Sequence, residues 1–239
     1  MNGNENQGDE IAFFNRASEG WSKRYSSDAS FVQRRKRIMD AVVSNVAKAR
    51  PLLDFGCGAG DLSIDAIRAG YNVVGADAAA GMCEQARLRI RDEGVEPQVV
   101  ALDTGTIKLP FEDAAFGGCM ASSVLEYVPD VGGTLSQLSR VLVPGGRLVM
   151  TVPNMESPIR RKEKLMKTVL LLPFAGRLLQ LTRWREGAAY LAISRNRGSL
   201  AWWEAHLRQV GLNPLRQFYD NRVAGGALVL IVAEKNIAA

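Results

Sequence analysis

Cysteine and histidine are scarce in this sequence, and those present do not form the pattern of a disulfide framework or a metal centre. The 239 residues include three cysteines and one histidine. Cys57, Cys83 and Cys119 are odd in number, lie far apart and form no CxxC pair, so neither disulfides nor a zinc site is expected. We therefore expect no metal, and a reducing cytoplasm as the protein's location.

Long apolar runs are also lacking. No apolar stretch approaches the roughly 20 residues that cross a bilayer, and the polar, acidic first ten residues do not resemble a secretory signal. Hydrophobic residues make up 47% of the chain and charged residues 23%, which is typical of a globular protein. The length fits one large domain with a core of its own.

Basic charge is concentrated in one stretch of the chain. The net charge is +5, yet residues 156–185 alone hold eight basic and two acidic side chains. The rest of the chain is therefore close to neutral. A protein that binds nucleic acid usually spreads basic residues over one face or helix, so we expect no nucleic-acid partner.

Short apolar runs alternate with helical patterns from Pro51 onward, which is typical of βαβ units and a mainly parallel sheet. The patterns predict strands at residues 52–55, 71–76, 98–102, 117–122, 147–152, 215–219 and 227–233. Helices are predicted at residues 61–69, 80–93, 131–141 and 200–210, with two more before the sheet at 11–26 and 31–46.

A glycine-rich turn follows the first predicted strand. Gly56, Gly58 and Gly60 form a GxGxG pattern before a helix, where glycine lets the backbone approach a ligand and helix N–H groups point at it. The dinucleotide fingerprint requires glycine at position 61, which is Asp61 here. Asp77 ends the second strand, where a carboxylate can accept hydrogen bonds from ribose hydroxyls. The pattern favours a nucleoside site over an NAD-dependent oxidoreductase.

Five motifs, in the same order along the chain, resemble those of the class I S-adenosylmethionine-dependent methyltransferases. They occupy residues 54–60, 73–77, 101–111, 122–130 and 142–150. The resemblance implies a Rossmann-like, seven-stranded, mainly parallel sheet with helices on both faces and its last strand antiparallel. We therefore predict an N-terminal helical cap over residues 1–46 and a methyltransferase domain over 47–239. A helical lid insertion is predicted at 155–199, after strand five.

The resemblance also assigns residues to S-adenosylmethionine, which would lie across the carboxyl ends of strands one, two and four. Asp54 would hold the loop and the amino-acid end, Asp77 the ribose, and Asp103 the adenine amino group. Met82 and Thr104 would pack beside the base, although Met82 fits the core equally well. The remaining predicted cofactor contacts are Gly56, Cys57, Gly58, Gly60, Ala78, Ser122 and Tyr25.

The cap helix and the charged helix after it carry two further expectations. The aromatic residues Phe14, Trp21 and Tyr25 lie roughly on one face of the predicted helix. They either cover cofactor and substrate or pack within the cap itself. In ubiquinone-pathway O-methyltransferases, which the chain resembles most, a basic residue of the next helix reaches the cofactor carboxylate. The candidates here are Arg34, Arg35, Lys36 and Arg37.

The proton acceptor is less well defined. Many members of the family carry a histidine after the glutamate that ends strand four, but this chain has Tyr127 after Glu126. The catalytic candidates are Tyr127 and His206, because a histidine suits general-base chemistry near neutral pH. Each also has a plain structural interpretation, Tyr127 as a packing aromatic residue and His206 as a partly exposed helix residue.

The family resemblance implies methyl transfer to a small molecule, with oxygen as the expected acceptor atom. Carbon or nitrogen acceptors and a non-catalytic S-adenosylmethionine-binding module stay open. In the insertion, Leu165, Val169 and Leu172 share a helical face bordered by lysines, which predicts a basic amphipathic helix. It either roofs the acceptor pocket or, through residues 160–185, contacts anionic lipid at the inner face of the membrane.

Overall fold

The sheet is mainly parallel along most of its width. The computed structural model describes residues 10–18, 29–163 and 193–237. Within these ranges the strands are β1 (Leu52–Phe55), β2 (Val73–Asp77), β3 (Val99–Ala101), β4 (Phe116–Ser122), β5 (Leu142–Pro153), β6 (Leu212–Pro214), β7 (Asp220–Val223) and β8 (Leu228–Lys235). Their order is β3-β2-β1-β4-β5-β8-β6, and β7 also pairs with β8. The first five strands run parallel, whereas β8 is antiparallel to its neighbours.

The helices follow the predicted pattern. In the described residues they are α1 (residues 10–18), α2 (Ala29–Asn45), α3 (Asp61–Arg68), α4 (Ala80–Asp92), α5 (Val131–Val141) and α6 (Leu200–Gln209). The first predicted helix is seen over residues 10–18, and its continuation lies outside the described residues. The expected α/β architecture is confirmed.

The predicted strand at residues 215–219 is wrong. A 3₁₀ turn, Arg216–Phe218, separates β6 from β7, and both short strands pair with β8. Arg216 donates two hydrogen bonds to the buried Glu204 of α6, at 2.8 and 2.6 Å. Where one strand was expected, the chain therefore forms two short strands with a 3₁₀ turn between them.

Apolar side chains cover both faces of the sheet. On one face, Ile38 and Val42 of α2 pack with Leu52, Val149 and Val232. On the other face, α5 and α6 contribute Leu135, Leu138, Trp203 and Leu207 to a second core cluster. Helix α2 falls within the predicted cap, but its buried side chains share a core with the sheet. No helix of the described ranges is long and apolar enough to span a membrane.

The start of the predicted insertion is tied to the sheet. Residues 158–163 are helical, and the buried Arg160 donates to the carbonyl of Ala227 at 3.0 Å and to Glu163 at 2.8 Å. Arg160 is therefore a structural residue, contrary to its predicted place in a membrane-contacting segment. Arg161 and Lys162 are exposed. The predicted face of Leu165, Val169 and Leu172 lies outside the described residues.

Candidate functional site

A cavity of about 450 Å³ lies where the parallel strands end. Because the carboxyl ends of parallel strands meet at one edge of a sheet, the loops after β1, β2, β3 and β4 converge there. Most of the predicted site residues line this cavity. They are Asp54, Gly56, Cys57, Gly58, Asp77, Ala78, Met82, Asp103, Thr104, Ser122 and Tyr127.

The glycine-rich turn has a shape that side chains would disrupt. Gly56 has φ +74°, and a Cβ built on it would collide with the side chain of Val124. Gly58 has φ +53°, but apart from its chain neighbours no atom of the described residues lies within 4 Å of the position that its Cβ would take. Gly56 thus permits a close approach between two loops, and Gly58 leaves room on the cavity side for a ligand.

Asp77 connects this turn to the start of α4. Its Oδ2 accepts a hydrogen bond from the Gly58 N–H at 2.9 Å, and its Oδ1 accepts one from the Ala79 N–H at 2.8 Å. Burial raises the pKa of Asp77, and these backbone donors oppose that rise. Since each carboxylate oxygen can accept a second hydrogen bond, Asp77 can still receive hydroxyl groups from a ligand.

Asp54 lies deeper at the same edge. It is 1% exposed, and its Oδ2 accepts a hydrogen bond from the Ser63 hydroxyl at 2.6 Å. Burial raises the pKa of Asp54 to about 7, and the nearby carboxylates of Asp77 and Asp61 act in the same direction. A positive group bound in the cavity would favour the ionised form of Asp54.

The far wall comes from the segment after β3 and from α4. Asp103 is exposed, and its Oδ1 accepts a hydrogen bond from the Gly105 N–H at 2.8 Å. Met82 is buried with Ala59 and Ala79, with Ile11 and Phe14 of α1 packed against them. Met82 was predicted either to pack beside the base or to belong to the core. The structure is compatible with both, because Met82 belongs to a small core cluster and also lines the cavity.

Two predicted site residues lie elsewhere, and Tyr25 is outside the described residues. Gly60 has φ +82° and precedes α3, and a Cβ there would lie 3.2 Å from the Cβ of Ala86. Its role is to let α3 pack against α4. His206 is not among the residues that line the cavity. Its ring lies tilted against that of Trp202 of α6, with centroids 3.9 Å apart, and its Nδ1 lies 2.9 Å from the Trp202 carbonyl oxygen. The prediction of His206 as the base is therefore corrected.

The four basic residues of α2 differ in their contacts, which the sequence could not distinguish. Arg34 is buried, and its Nη2 donates to the hydroxyls of Ser122 at 2.9 Å and Ser123 at 2.7 Å, both of which line the cavity. Of the four, Arg34 is the one directed at the cavity wall. The others bind acidic side chains: Arg35 binds Asp61 and Asp65, Lys36 binds Asp40, and Arg37 binds Asp220.

One end of the cavity is formed by α1 and the loop after β4. Ile11 and Phe14 line it, and the Phe14 ring contacts the Tyr127 ring edge to face, with centroids 5.4 Å apart. Glu10 also lines this end and pairs with Arg195 at 2.8 Å. Glu10 and Ile11 were missed because α1 carries no motif. Phe14 was identifiable only as an aromatic residue of the cap.

The chain matches known proteins over its central part and beyond. Residues 53–150 match the family described as methyltransferase domain. Over 166 residues the chain is 32% identical to the 27-O-demethylrifamycin SV methyltransferase of Amycolatopsis mediterranei, covering 68% of this chain and 54% of that protein. It is 26% identical to the 2-phytyl-1,4-naphtoquinone methyltransferase of Nostoc punctiforme, covering 77% of this chain and 79% of that protein. Three curated relatives are matched over only 36% to 54% of their length.

A solved structure extends the likeness to nearly the whole chain. The magnesium protoporphyrin IX methyltransferase of Synechocystis PCC 6803, determined with bound S-adenosylhomocysteine, superposes with a TM-score of 0.67. The match covers 94% of this chain and 97% of that chain, at 17% sequence identity. At that identity the likeness establishes a shared fold.

Proposed function

We propose that the chain transfers a methyl group from S-adenosylmethionine to an oxygen atom of a small, lipophilic biosynthetic intermediate. The match of residues 53–150 to the methyltransferase-domain family supports this proposal. The observation that carries this proposal is the cavity at the carboxyl ends of the parallel strands. It joins the glycine-rich turn, the carboxylates of Asp54, Asp77 and Asp103, and an apolar, aromatic end.

The residues present fit the cofactor. The open space at Gly58 admits a ligand beside the turn, and Asp77 would accept hydrogen bonds from the ribose. Asp103 would receive the adenine amino group, with Met82 and Thr104 beside the base. Asp54 would attract the ammonium of the amino-acid end. Arg34 supports the hydroxyls of Ser122 and Ser123, and its positive charge suits the cofactor carboxylate.

The apolar part of the cavity lining suits an apolar acceptor. Ile11, Phe14, Tyr127, Val128 and Pro129 belong to it, and such a surface favours a lipophilic ring over a polar metabolite. S-Adenosylmethionine supplies an already activated methyl group, so the protein's main task is to align the acceptor for in-line displacement. Tyr127, in its ionised phenolate form, is the candidate for receiving the acceptor proton.

The decisive experiment incubates the full chain with methyl-labelled S-adenosylmethionine and a panel of lipophilic phenols and hydroquinones. We expect labelled methyl ethers and equimolar S-adenosylhomocysteine. If Tyr127 receives the acceptor proton, Tyr127→Phe lowers kcat on the order of 100-fold, with S-adenosylmethionine affinity unchanged. Binding without turnover on any acceptor would identify a non-catalytic module, and label on carbon or nitrogen would replace the oxygen assignment.

We further propose that the basic segment 160–185 brings the protein to anionic membrane, where a lipophilic acceptor would reside. Its support is the sequence charge and the exposure of Arg161 and Lys162. Arg160 is excluded from that role by its buried contacts.

A further inference from the structure

The loop after β4 is held from outside by residues 194–196. The carbonyl of Glu126 accepts hydrogen bonds from the backbone N–H groups of Arg195 at 2.9 Å and Asn196 at 3.0 Å. The side-chain amide of Asn196 donates to the carbonyls of Leu125 at 2.9 Å and Val128 at 2.7 Å. A loop lacks the regular backbone hydrogen bonds that satisfy carbonyl groups in a sheet or helix. Residues 195–196 supply these hydrogen bonds instead.

Two adjacent side chains of this loop, those of Glu126 and Tyr127, point in different directions. Glu126 is 1% exposed and does not line the cavity, and its Oε2 accepts a hydrogen bond from the Ser194 hydroxyl at 3.2 Å. The next residue, Tyr127, lines the cavity. Fixing the backbone of Glu126 therefore fixes the direction from which Tyr127 enters the cavity.

The same short segment reaches α1. Arg195 pairs with Glu10 at 2.8 Å, and Glu10 is 7% exposed and lines the cavity. Phe14, one turn further along α1, contacts Tyr127. Three segments that are distant in sequence thus meet around the apolar end of the cavity. Arg195 bonds both of the other segments, and Asn196 bonds the loop after β4.

We propose that Asn196 is a positioning residue for methyl transfer, which holds the loop after β4 so that Tyr127 faces the acceptor. The proposal rests on the proposed function of the cavity. Asparagine suits the position because its amide nitrogen carries two N–H donors, one for each carbonyl. Aspartate has the same shape but presents only acceptors to those carbonyls. Asn196→Asp is therefore more disruptive than Asn196→Ala.

The test compares Asn196→Asp and Asn196→Ala with a control, Asn213→Asp, in the full chain saturated with S-adenosylhomocysteine. Asn213 is exposed on β6 and its side chain bonds that of Asn236. Losing the two hydrogen bonds of the Asn196 side chain should raise amide exchange in residues 124–128 by about tenfold or more. We expect the order Asp above Ala above wild type there, no change in Asn213→Asp, and S-adenosylhomocysteine affinity within about twofold.

Turnover separates positioning from general stability. With an acceptor that the panel identifies, we expect kcat of Asn196→Asp to fall by at least about tenfold, with the acceptor KM nearly unchanged. Unchanged exchange in residues 124–128 overturns the proposal, as does faster exchange spread evenly over the described sheet. If no acceptor is methylated, the proposed function fails, and the exchange pattern alone then decides whether Asn196 holds the loop.

Discussion

Asp77 shows how one side chain can serve both the fold and a ligand. Its carboxylate accepts hydrogen bonds from the N–H groups of Gly58 and Ala79 at the edge where the ribose would lie. Asp77→Ala should weaken S-adenosylmethionine binding by about 1.5–3 kcal/mol, the cost of losing a charge-assisted hydrogen bond. Calorimetry measures this, with the exposed Asp92 replaced by alanine as the control. Equal affinities of the two variants would remove Asp77 as the ribose anchor.

Asp54 makes a pH dependence of stability testable. Because burial raises its pKa to about 7 in the folded chain, the unfolded chain releases this proton at lower pH than the folded chain. The free energy of unfolding should therefore fall as pH rises from about 4 to about 7, and this contribution should level off above 7. Asp54→Asn removes the titration. Chemical unfolding at several pH values should show a smaller decline in the variant, and equal declines would contradict the assignment.

At the scale of elements, the turn between β1 and α3 separates two roles of glycine. Gly56→Ala combines a positive φ with a collision against Val124. Gly58 and the control position Gly94 also have positive φ, but among the described residues only chain neighbours come within 4 Å of a Cβ built at either position. Alanine at such a φ costs about 1 kcal/mol. We expect that loss of stability for Gly58→Ala and Gly94→Ala, and a larger loss for Gly56→Ala.

Binding distinguishes the two milder variants. Gly58 lines the cavity, whereas Gly94 does not, so only Gly58→Ala should weaken S-adenosylmethionine binding. Thermal melting and calorimetry on the three proteins measure both effects. If Gly58→Ala and Gly94→Ala bind S-adenosylmethionine equally well, the space beside Gly58 is not the cofactor site.

Elements with a local pattern were predictable, and those that depend on distant contacts were not. The turn at Gly56 and the acid at Asp77 follow directly from strand–turn–helix patterns, and the structure places both at the cavity. In the 3₁₀ turn at Arg216–Phe218, Arg216 bonds the buried Glu204 of α6, a residue distant in the sequence. Apolar periodicity at residues 215–219 carries no information about that partner, so the strand prediction failed.

At the scale of the whole molecule, the two ends of the cavity differ in how the sequence encodes them. The cofactor end is built from loops that each follow a strand at a fixed spacing, so motifs reveal it. The part that we propose for the acceptor joins α1, the loop at Tyr127 and residues 194–196, which meet only in the folded chain. Periodicity cannot report such contacts, which is why Asn196 and Glu10 were missed.

The uneven distribution of charge gives the last prediction. Residues 156–185 carry eight basic and two acidic side chains, and each basic residue near an anionic surface contributes about 1 kcal/mol. That attraction weakens with salt, since the Debye length is about 10 Å at 0.1 M. The full chain should therefore co-sediment with phosphatidylserine vesicles at low salt, and less at high salt. Neutral vesicles should recover little of it.

Two charge-reversal variants test whether this segment is responsible. Arg161→Glu with Lys162→Glu changes two exposed residues of the segment, and Arg91→Glu with Lys36→Glu changes two exposed residues elsewhere. Both double variants alter the net charge equally, so a general charge effect would weaken binding in both. Loss of vesicle binding in the first alone would place the contact in the basic segment. Equal recovery of the wild type with neutral and anionic vesicles would exclude electrostatic docking and leave the insertion as a lid over the acceptor.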